Sequence, residues 1–380
     1  MHDFSIKEIR TNNITDELLS IGFDKTYAQK ACKKYIYKNL KIFNLTVPQA
    51  NILKQTALSV GADCATHREV ITGKIELSDC ILGGSVSQIT KIAQNLLFQP
   101  FGLKILGQKL IEQCEISQNT DRTKIVGILN ITKNSFSDGG EFYDFDSAIT
   151  QLNKLIQDGA DIIDIGAEST KPYSKGVSAK EQLEKLLPVL DYIKQQNIQT
   201  PISIDTRSSI VAEESIKAGA LIINDVSGLT FDDNMAEVVA KYPNVKLIIQ
   251  HSQGTPENMQ EEPFYENLMD EIFTFLYNKV QFAISKGISK ENIIIDPGIG
   301  FGKLKSHNIE ILNRWQELKS IGYPVMIGLS RKSLLECQQA MNEEKDIYTL
   351  ALNSVLINQK IDYIRVHNPA IHKKLISIWE

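Results

Sequence analysis

From Lys124 to the end of the chain, short apolar runs alternate with helical stretches, and this alternation constrains the fold more than any other feature. Eight apolar runs, typical of buried parallel strands, are each followed by a segment with helical spacing of apolar residues. The predicted strands are 125–131, 161–167, 201–206, 221–226, 246–251, 292–296, 324–329 and 362–367. The predicted helices are 146–158, 178–196, 208–218, 233–241, 263–286, 306–319, 346–359 and 369–379. Eight βα units over about 255 residues predict a (β/α)8 barrel.

The alternative fold for this region is a doubly wound open sheet. That fold carries a Gly-x-Gly-x-x-Gly turn after its first strand and binds ligands at one switch point of the sheet. Here no such turn follows residues 125–131, and a polar residue ends every predicted strand. The sequence therefore favours an α/β TIM barrel over residues 119–380.

Residues 1–118 follow a different pattern and are predicted to form a smaller N-terminal α+β domain. Its predicted strands are 42–45 and 77–82, and its predicted helices are 47–59, 86–97 and 101–114. The sequence of this domain contains no evident catalytic constellation. We expect its apolar helix faces to be covered by docking on the outer helices of the barrel or by self-association.

Composition bounds the partners of the protein. The 380 residues carry a formal net charge of −5 and a pI near 5.8, which argues against a nucleic-acid-binding surface. No apolar run approaches the roughly 20 residues that span a bilayer, and the start of the chain lacks the pattern of a signal peptide. We therefore expect a cytoplasmic protein with neither a nucleic-acid nor a membrane partner.

Five irregularly spaced cysteines predict reduced thiols rather than a disulfide framework. Cys64 and His67 have a spacing that is seen in metal sites, but no second matching pair lies near them in the sequence. Ordinary packing is therefore the preferred interpretation of this pair.

The stretch 293–303, Ile-Ile-Ile-Asp-Pro-Gly-Ile-Gly-Phe-Gly-Lys, is the clearest candidate for a ligand site. A run typical of a buried strand ends in Asp296, and the glycines after it allow the backbone to approach a ligand closely. An aspartate that only caps the turn is the alternative explanation. The recurrence of polar residues at the other strand ends favours a pocket instead.

Polar side chains follow all eight predicted strands and would converge at one end of the barrel, where barrel enzymes hold their active sites. Such a ring of convergent polar groups predicts a small-molecule site. Its members are Asn130, Glu168, Asp205, Asn224, His251, Asp296, Ser330 with Lys332, and Arg365 with His367.

These side chains fall into two chemical groups. Asp205, Asn224 and Asp296 can exchange hydrogen bonds with a flat heterocycle, such as the edge of a pterin or a purine. A second group is cationic or can become so and suits a phosphate, which barrel enzymes often bind after strands seven and eight. That group consists of Lys332, Arg365 and His367. An ion pair between strands is the alternative role of Arg365.

Seven motifs occur in a fixed order across residues 124–368, nearly the whole predicted barrel. They are 126–132 with 134–140, 164–172, 204–206, 223–226, 296–303, 328–333 and 365–367. Together, and in this order, they resemble the signatures of the dihydropteroate synthases.

The resemblance implies a transferase of folate biosynthesis that binds a pterin and is a target of sulfonamides. Its reaction condenses 6-hydroxymethyl-7,8-dihydropterin diphosphate with p-aminobenzoate to 7,8-dihydropteroate and diphosphate. By the same resemblance, the pterin is held by Asp205, Asn224, Asp296 and Lys332. The diphosphate is held by Asn130, Arg365 and His367, with Mg²⁺ at Asn130. The residues around p-aminobenzoate are Thr170, Lys171, Pro172, Phe301 and Ser333.

The resemblance further implies that catalysis depends on Asn130, Lys332, Arg365 and His367, and a homodimer is among the expected assemblies. Residues 137–140 are expected to act as a mobile lid. The chain departs from the family pattern at Lys133, Lys171, Tyr173 and Asn368, where Pro, Arg, Gly and Asp are usual. These positions are predicted to affect p-aminobenzoate and the lids more than the pterin.

Two other functions would use the same barrel. A methyltransferase that takes its methyl group from a reduced folate would share the pterin-binding residues, but it has no evident need for residues 330–333 and 365–367. A non-catalytic pterin sensor would use residues 1–118 as its output module. A turnover assay separates the sensor from the enzyme.

Overall fold

A computed structural model of the chain describes residues 4–11, 13–115, 121–132, 145–168, 176–254, 259, 262–332 and 341–379. The chain divides into two compact units, Met1–Ser117 and Gln118–Glu380. The division lies one residue from the boundary expected from the sequence.

The first unit contains a three-stranded antiparallel sheet with the strand order β1-β3-β2. Its elements are α1 (Ile14–Ser20), α2 (Lys25–Ala31), β1 (Tyr37–Thr46), α3 (Val47–Ser59), β2 (Asp63–Thr66), β3 (Leu77–Ser85), α4 (Val86–Leu96) and α5 (Leu103–Glu115). A capping box starts α4, because Ser85 and Gln88 exchange hydrogen bonds between side chain and backbone at 2.9 and 3.3 Å. Leu53, Leu82 and Ile89 are fully buried in the core of this unit.

Three elements were not predicted from the sequence, namely α1, α2 and the short strand β2, and β1 begins five residues before its predicted start. Cys64 belongs to β2, and its side chain is buried in the core, as expected for packing. His67 accepts the backbone N–H of Glu69 through Nδ1 at 3.2 Å and so caps a turn. Among the described residues, no three His, Cys, Asp or Glu side chains are grouped so as to hold a metal.

The second unit confirms the predicted barrel. Eight parallel strands follow the order β10-β11-β4-β5-β6-β7-β8-β9, and a parallel bridge between Ile295 and Val325 joins the two edges. The strands are β4 (Lys124–Asn130), β5 (Ile162–Gly166), β6 (Ile202–Asp205), β7 (Ile222–Asp225), β8 (Lys246–Gln250), β9 (Ile293–Asp296), β10 (Met326–Ile327) and β11 (Tyr363–Val366).

Helices follow the strands, as the alternation predicted. They are α6 (Phe145–Gln157), α7 (Ala179–Gln195), α8 (Ser209–Lys217), α9 (Met235–Ala240), α10 (Leu268–Ser285), α11 (Lys305–Arg314), α12 (Asn342–Asn358) and α13 (Pro369–Trp379). A 3₁₀ helix, Trp315–Ile321, continues α11. No helix in the described part of the chain is long and apolar enough to cross a membrane.

A layer of buried side chains fills the lower part of the barrel interior. It consists of Val126, Ile162, Ile222, Ile248, Ile294, Met326 and Tyr363. Because side chains two positions apart in a strand share one face, the residue two positions after each of these also faces inward. Strand periodicity therefore stacks Asp164, Asn224, Asp296 and Arg365 above the apolar layer, toward the carboxyl ends of the strands.

Candidate active site

Arg365 on β11 lies at the centre of the polar group inside the barrel. Its guanidinium donates from Nε to Asp164 Oδ2 at 2.6 Å and from Nη2 to Asp205 Oδ2 at 2.7 Å. Burial alone would lower the pKa of Arg365, but the carboxylates of Asp164 and Asp205 outweigh burial and raise that pKa. One cation is therefore shared by three strands, β5, β6 and β11.

Asn224 on β7 has a fixed amide orientation. Its Nδ2 donates to Asp164 Oδ2 at 3.1 Å, and Ser203 Oγ donates to the other oxygen of that carboxylate at 2.6 Å. Because an ionised carboxylate only accepts hydrogen bonds, the amide oxygen of Asn224 must face away from Asp164. Among the described residues, this buried Oδ1 atom has no hydrogen-bond partner. An unpaired buried acceptor costs about 1–3 kcal/mol, which a ligand donor would recover.

Asp296 ends β9 and is almost completely buried. Its Oδ1 accepts from the backbone N–H of Gly298 at 2.6 Å, and burial raises the pKa of the carboxyl group. Gly298 has a φ of +68°, and a Cβ atom there would collide with the backbone carbonyl of His251. Glycine alone tolerates both the backbone angle and the close approach, so the turn depends on it.

Lys332, in the loop after β10, lies on the same side of the site as Asp296. Its Nζ donates to the backbone carbonyl of Ile299 and lies 4.7 Å from the centre of the Phe301 ring. Burial lowers the pKa of Lys332 to about 8, and burial raises the pKa of Asp205 to about 7. Both groups therefore change charge near neutral pH, which is typical of functional groups in clefts.

Asn130 and His367 lie at the ends of β4 and β11. A Cβ atom on Gly166 would stand 3.5 Å from both Asn130 Oδ1 and Asp205 Cβ, so this glycine leaves space between the two side chains. Ser330 Oγ accepts the backbone N–H of His367 at 3.2 Å and lies 2.9 Å from His367 Nδ1. Ser330 therefore holds both the backbone and the imidazole ring of His367 at the end of β11.

Two members of the predicted ring have other partners. Glu168 accepts from Arg207 Nη2 at 2.9 Å, and the guanidinium carbon of Arg207 lies 4.2 Å from the centre of the Phe231 ring. His251 Nδ1 lies 2.9 Å from Nζ of Lys303, which belongs to the loop after β9. These side chains therefore form pairs outside the group centred on Arg365.

The predicted p-aminobenzoate residues are only partly described. Phe301 is described and nearly buried, and it packs with Val226 and Met259. The other predicted residues, the departures at the lids and the lid itself lie outside the described residues, namely Thr170, Lys171, Pro172, Ser333, Lys133, Tyr173 and 137–140.

Three residues at the barrel mouth were not predicted as site residues from the sequence: Asp164, Arg207 and Lys303. Asp164 is completely buried and stands two positions after Ile162 of the apolar layer, so strand periodicity could have singled it out. Arg207 and Lys303 lie in loops beyond β6 and β9, where no periodic signal marks an inward direction. Their partners, Glu168 and His251, come from other strands and are set by the tertiary fold.

Cavity size by itself would favour a different ligand site. A groove of about 660 Å³ on the outer helices is lined by residues of α7 such as Leu183 and by Ile210 of α8. A cavity of about 80 Å³ at the barrel mouth is lined by Phe301, Phe231 and Arg207, among others. The larger groove is almost entirely apolar and lies away from the strand ends. Convergent polar groups with shifted pKa values are the stronger indication of a functional site, and they occur inside the barrel.

Known proteins match the barrel region of the chain. The pattern of the family described as "Pterin binding enzyme" matches residues 126–367. The dihydropteroate synthase of Clostridium beijerinckii is 41% identical over 250 residues, which cover 65% of this chain and 90% of that protein. A solved dihydropteroate synthase structure from Clostridium difficile, obtained in the presence of pteroic acid, has a TM-score of 0.64 and 39% identity. It covers 70% of this chain and 98% of that chain.

A longer relative also matches part of the first unit. A probable bifunctional folylpolyglutamate synthase/dihydropteroate synthase of Haloferax volcanii is 32% identical over 343 residues. This match covers 84% of our chain, more than residues 118–380 can supply, and 40% of the Haloferax protein. The family pattern, the relatives and the solved structure coincide on the barrel. The chain belongs to the dihydropteroate synthases, transferases of folate biosynthesis within the pterin-binding enzyme family.

Proposed function

We propose that the polar interior of the barrel binds 6-hydroxymethyl-7,8-dihydropterin diphosphate and joins it to p-aminobenzoate. The observation that carries this assignment is the unpaired, buried Oδ1 of Asn224, which Asp164 turns toward the space between the strand ends. A heterocycle with ring N–H groups supplies the donor that this oxygen lacks.

The pterin would be held by Asp205, Asn224, Asp296 and Lys332. Asp296 retains acceptor capacity beyond its bond to Gly298, so it can accept from adjacent N–H groups of the ring. Lys332 would exchange its bond to the carbonyl of Ile299 for an acceptor on the ligand. Carboxylates, an amide and an ammonium group together match the mixed donor and acceptor edge of a pterin.

The diphosphate would be held by Arg365 and His367. The ion pairs of Arg365 with Asp164 and Asp205 use Nε and Nη2, and none of its described contacts uses Nη1. The imidazole of His367, next to the end of the same strand, would supply a second donor when a ring nitrogen facing the diphosphate carries a proton. Both groups would stabilise the negative charge that grows on the departing diphosphate, as preorganised donors do in other enzymes.

Asn130 fits the requirements of a Mg²⁺ site that is completed by substrate. Mg²⁺ prefers oxygen ligands and is often bound by one or two protein groups together with phosphate oxygens. The amide oxygen of Asn130 is such a donor, and the missing side chain of Gly166 leaves room beside it. When bound, Mg²⁺ would neutralise charge on the diphosphate.

The reaction needs no nucleophile from the protein. The bond between the pterin methylene carbon and the diphosphate oxygen breaks, and its electron pair leaves with diphosphate. The amine nitrogen of p-aminobenzoate forms the new bond to carbon and loses a proton to water. The protein binds both substrates in line, which lowers the entropic part of the barrier. It also excludes water that would compete with the amine as the nucleophile.

Phe301 would form one wall of the p-aminobenzoate position, together with Thr170, Lys171, Pro172 and Ser333. A sulfonamide that imitates the ring and amine of p-aminobenzoate would compete for this position. The cytoplasmic location expected from the sequence stays a prediction.

We also propose a homodimer formed through the outer face of α12. Ile347 and Val355 are 63% and 51% exposed, and Ala351 lies between them at the helical spacing of one face. Such an apolar stripe on a surface helix is typical of an interface. Sedimentation of the wild type and of an Ile347→Glu variant tests it, because a dimer through this face should become a monomer.

The test of the reaction is the release of diphosphate from the pterin diphosphate, p-aminobenzoate and Mg²⁺. We expect release to depend on all three, and His367→Ala to slow it while leaving the affinity for a phosphate-free pterin unchanged. Equal weakening of both ligands would contradict the assignment of His367 to diphosphate. No release with all three components would reject the reaction itself.

A further inference from the structure

The loop that joins β9 to α11, residues 297–304, is held by side chains from several directions. Asn308 Oδ1 accepts the backbone N–H of Gly300 at 2.8 Å, and the Tyr265 hydroxyl donates to the carbonyl of Gly302 at 2.8 Å. The backbone also turns on itself, because the Phe301 N–H donates to the Gly298 carbonyl at 3.1 Å. The position of Phe301 is therefore set by interactions of the loop rather than by regular secondary structure.

Lys303 is another side chain that holds this loop, and it is almost completely buried, with a relative exposure of 2%. Its Nζ turns back under the loop and donates to the Phe301 carbonyl at 2.9 Å. It also lies 2.9 Å from His251 Nδ1 and 3.4 Å from the His251 carbonyl oxygen. One ammonium group thus joins the loop after β9 to the segment after β8.

His251 is a rigid partner for this lysine. Its ring meets Phe275 of α10 edge-on, with centroids 4.9 Å apart and an interplanar angle of 76°. Burial, together with the charge of Lys303, holds the pKa of His251 well below its usual value, so Nδ1 of the neutral ring can accept. Burial likewise lowers the pKa of Lys303 well below that of an exposed lysine, and a neutral amine would still donate.

Close backbone contact makes this connection necessary. Cβ atoms at Gly298 and Gly302 would collide with the carbonyls of His251 and Gln253, so the two segments meet backbone to backbone. The carbonyl oxygens of His251 and Phe301 both point at Lys303 Nζ. Without the lysine, these buried acceptors would lack their shared donor, and the contact would loosen.

We infer that Lys303 is a positioning residue for p-aminobenzoate, because it fixes the Phe301 carbonyl to His251 and so keeps the Phe301 ring at the barrel mouth. The inference rests on the role proposed above for Phe301. Lys303 acts through Phe301 and touches neither substrate. Asp296, by contrast, belongs to β9, where strand pairing holds its backbone, and its carboxylate is held by Gly298 at the start of the loop, so the pterin side of the site should depend less on this lysine.

Lys303→Met tests the inference, with Lys319→Met as a matched control. Lys319 is half-buried and, like Lys303, donates to a backbone carbonyl, that of Lys360 at 2.7 Å, but it lies outside the site. We expect Lys303→Met to raise KM for p-aminobenzoate about tenfold, as the loss of a charged hydrogen bond predicts. The affinity for a phosphate-free pterin, measured by calorimetry, should change less than about twofold in both variants, within the usual error of additivity.

A double-mutant cycle with Phe301→Ala separates this inference from the proposal on which it rests. If Lys303 acts through Phe301, adding Lys303→Met to Phe301→Ala should raise KM for p-aminobenzoate less than about twofold further. Fully multiplicative effects would overturn the inference. If Phe301→Ala raised KM but Lys303→Met did not, the role of Lys303 would be rejected while that of Phe301 stood. If Phe301→Ala left KM unchanged, the assignment of Phe301 to p-aminobenzoate would fail.

A second variant covers the case in which Lys303→Met does not fold, as judged by circular dichroism and a thermal melt. His251→Phe keeps an aromatic ring against Phe275 but removes the Nδ1 acceptor. We expect it to raise KM for p-aminobenzoate in the same direction without weakening the pterin. An unchanged KM in a folded His251→Phe protein would overturn the inference.

Discussion

The two sheets of this protein differ in how their faces and ends are covered. Every residue of β5, β6, β7 and β9 in the barrel is buried. In the first unit, more and less exposed residues alternate along β1 and along the first part of β3. Leu77 and Ile81 of β3 are 51% and 49% exposed. A closed parallel sheet has both faces covered and all carboxyl ends at one mouth, whereas an antiparallel sheet sends successive ends to opposite edges. Polar strand ends can therefore converge only in the barrel.

The two units also differ in the distribution of buried charged side chains. Among the described residues, the buried polar side chains of the first unit are Ser78 and Ser85, and every buried charged side chain lies in the second unit. Burying a charge is unfavourable unless it is paired, so buried charges occur where the fold supplies partners for them, as it does in the barrel. The first unit is a conventional apolar core, and the second combines a core with a site.

Of the changes considered for the two units, replacing Arg365 should have the largest effect, a loss of stability in the barrel. Arg365→Met leaves Asp164 and Asp205 buried without their cation, so we expect the barrel to lose roughly 3–5 kcal/mol of unfolding free energy. Urea denaturation measures the loss. Arg122→Met is the control, because the ion pair of Arg122 with Asp161 is half exposed and should contribute about 1 kcal/mol or less. Similar losses in the two variants would mean that the interior pair is not special.

Leu53→Ala tests whether the first unit is independent of catalysis. Leu53 is fully buried in its core, and the cavity should destabilise that unit by about 2–5 kcal/mol. We expect kcat/KM per folded barrel to stay within about twofold of the wild type, since every residue assigned to the site follows Lys124. Ile105→Ala, at a largely exposed position of α5, is the control for stability. A large loss of turnover with an intact barrel melt would remove the distinction between the two units.

Asp296→Asn should weaken pterin binding by about 1–3 kcal/mol, roughly fivefold to 150-fold, because an amide turns one donor toward a ligand donor. Calorimetric titration with a phosphate-free pterin gives the change. Asp225→Asn is the matched control, since Asp225 is equally buried but accepts from Ser227 and Leu229 in its own turn. An affinity that is unchanged in Asp296→Asn would exclude this carboxylate from the site.

The smallest effect is a pH dependence of kcat/KM for the pterin diphosphate. The pKa of Asp205 is raised to about 7 by burial, so its carboxylate is lost as pH falls through 7. The pKa of Lys332 is lowered to about 8 by burial, so its charge is lost as pH rises through 8. We expect a bell-shaped profile with limbs of about tenfold per pH unit. Lys332→Arg should abolish the alkaline limb, because arginine stays protonated there.

The strands and helices of the barrel could be predicted from the sequence because their residue patterns are local and periodic. Apolar runs and helical spacing marked all eight βα units, and the end of each run pointed to residues such as Asn224 and Asp296. β2 escaped notice because four residues are too few to establish an alternation. β10, which the sequence extended to six residues, is only two residues long, and its pairing with β9 is reduced to the single bridge between Val325 and Ile295.

Sequence by itself determined which side chains reach the mouth of the barrel, because strand periodicity and the parallel order of the strands decide that. Only the tertiary structure decided how those side chains pair. Arg365 meets Asp164 and Asp205 across 201 and 160 residues of chain, and Lys303 meets His251 across 52. The unpaired oxygen of Asn224 likewise depends on Asp164 from another strand. Such contacts form only when the barrel assembles, since assembly brings together strands that are distant in the sequence and excludes the water that would otherwise satisfy each group alone.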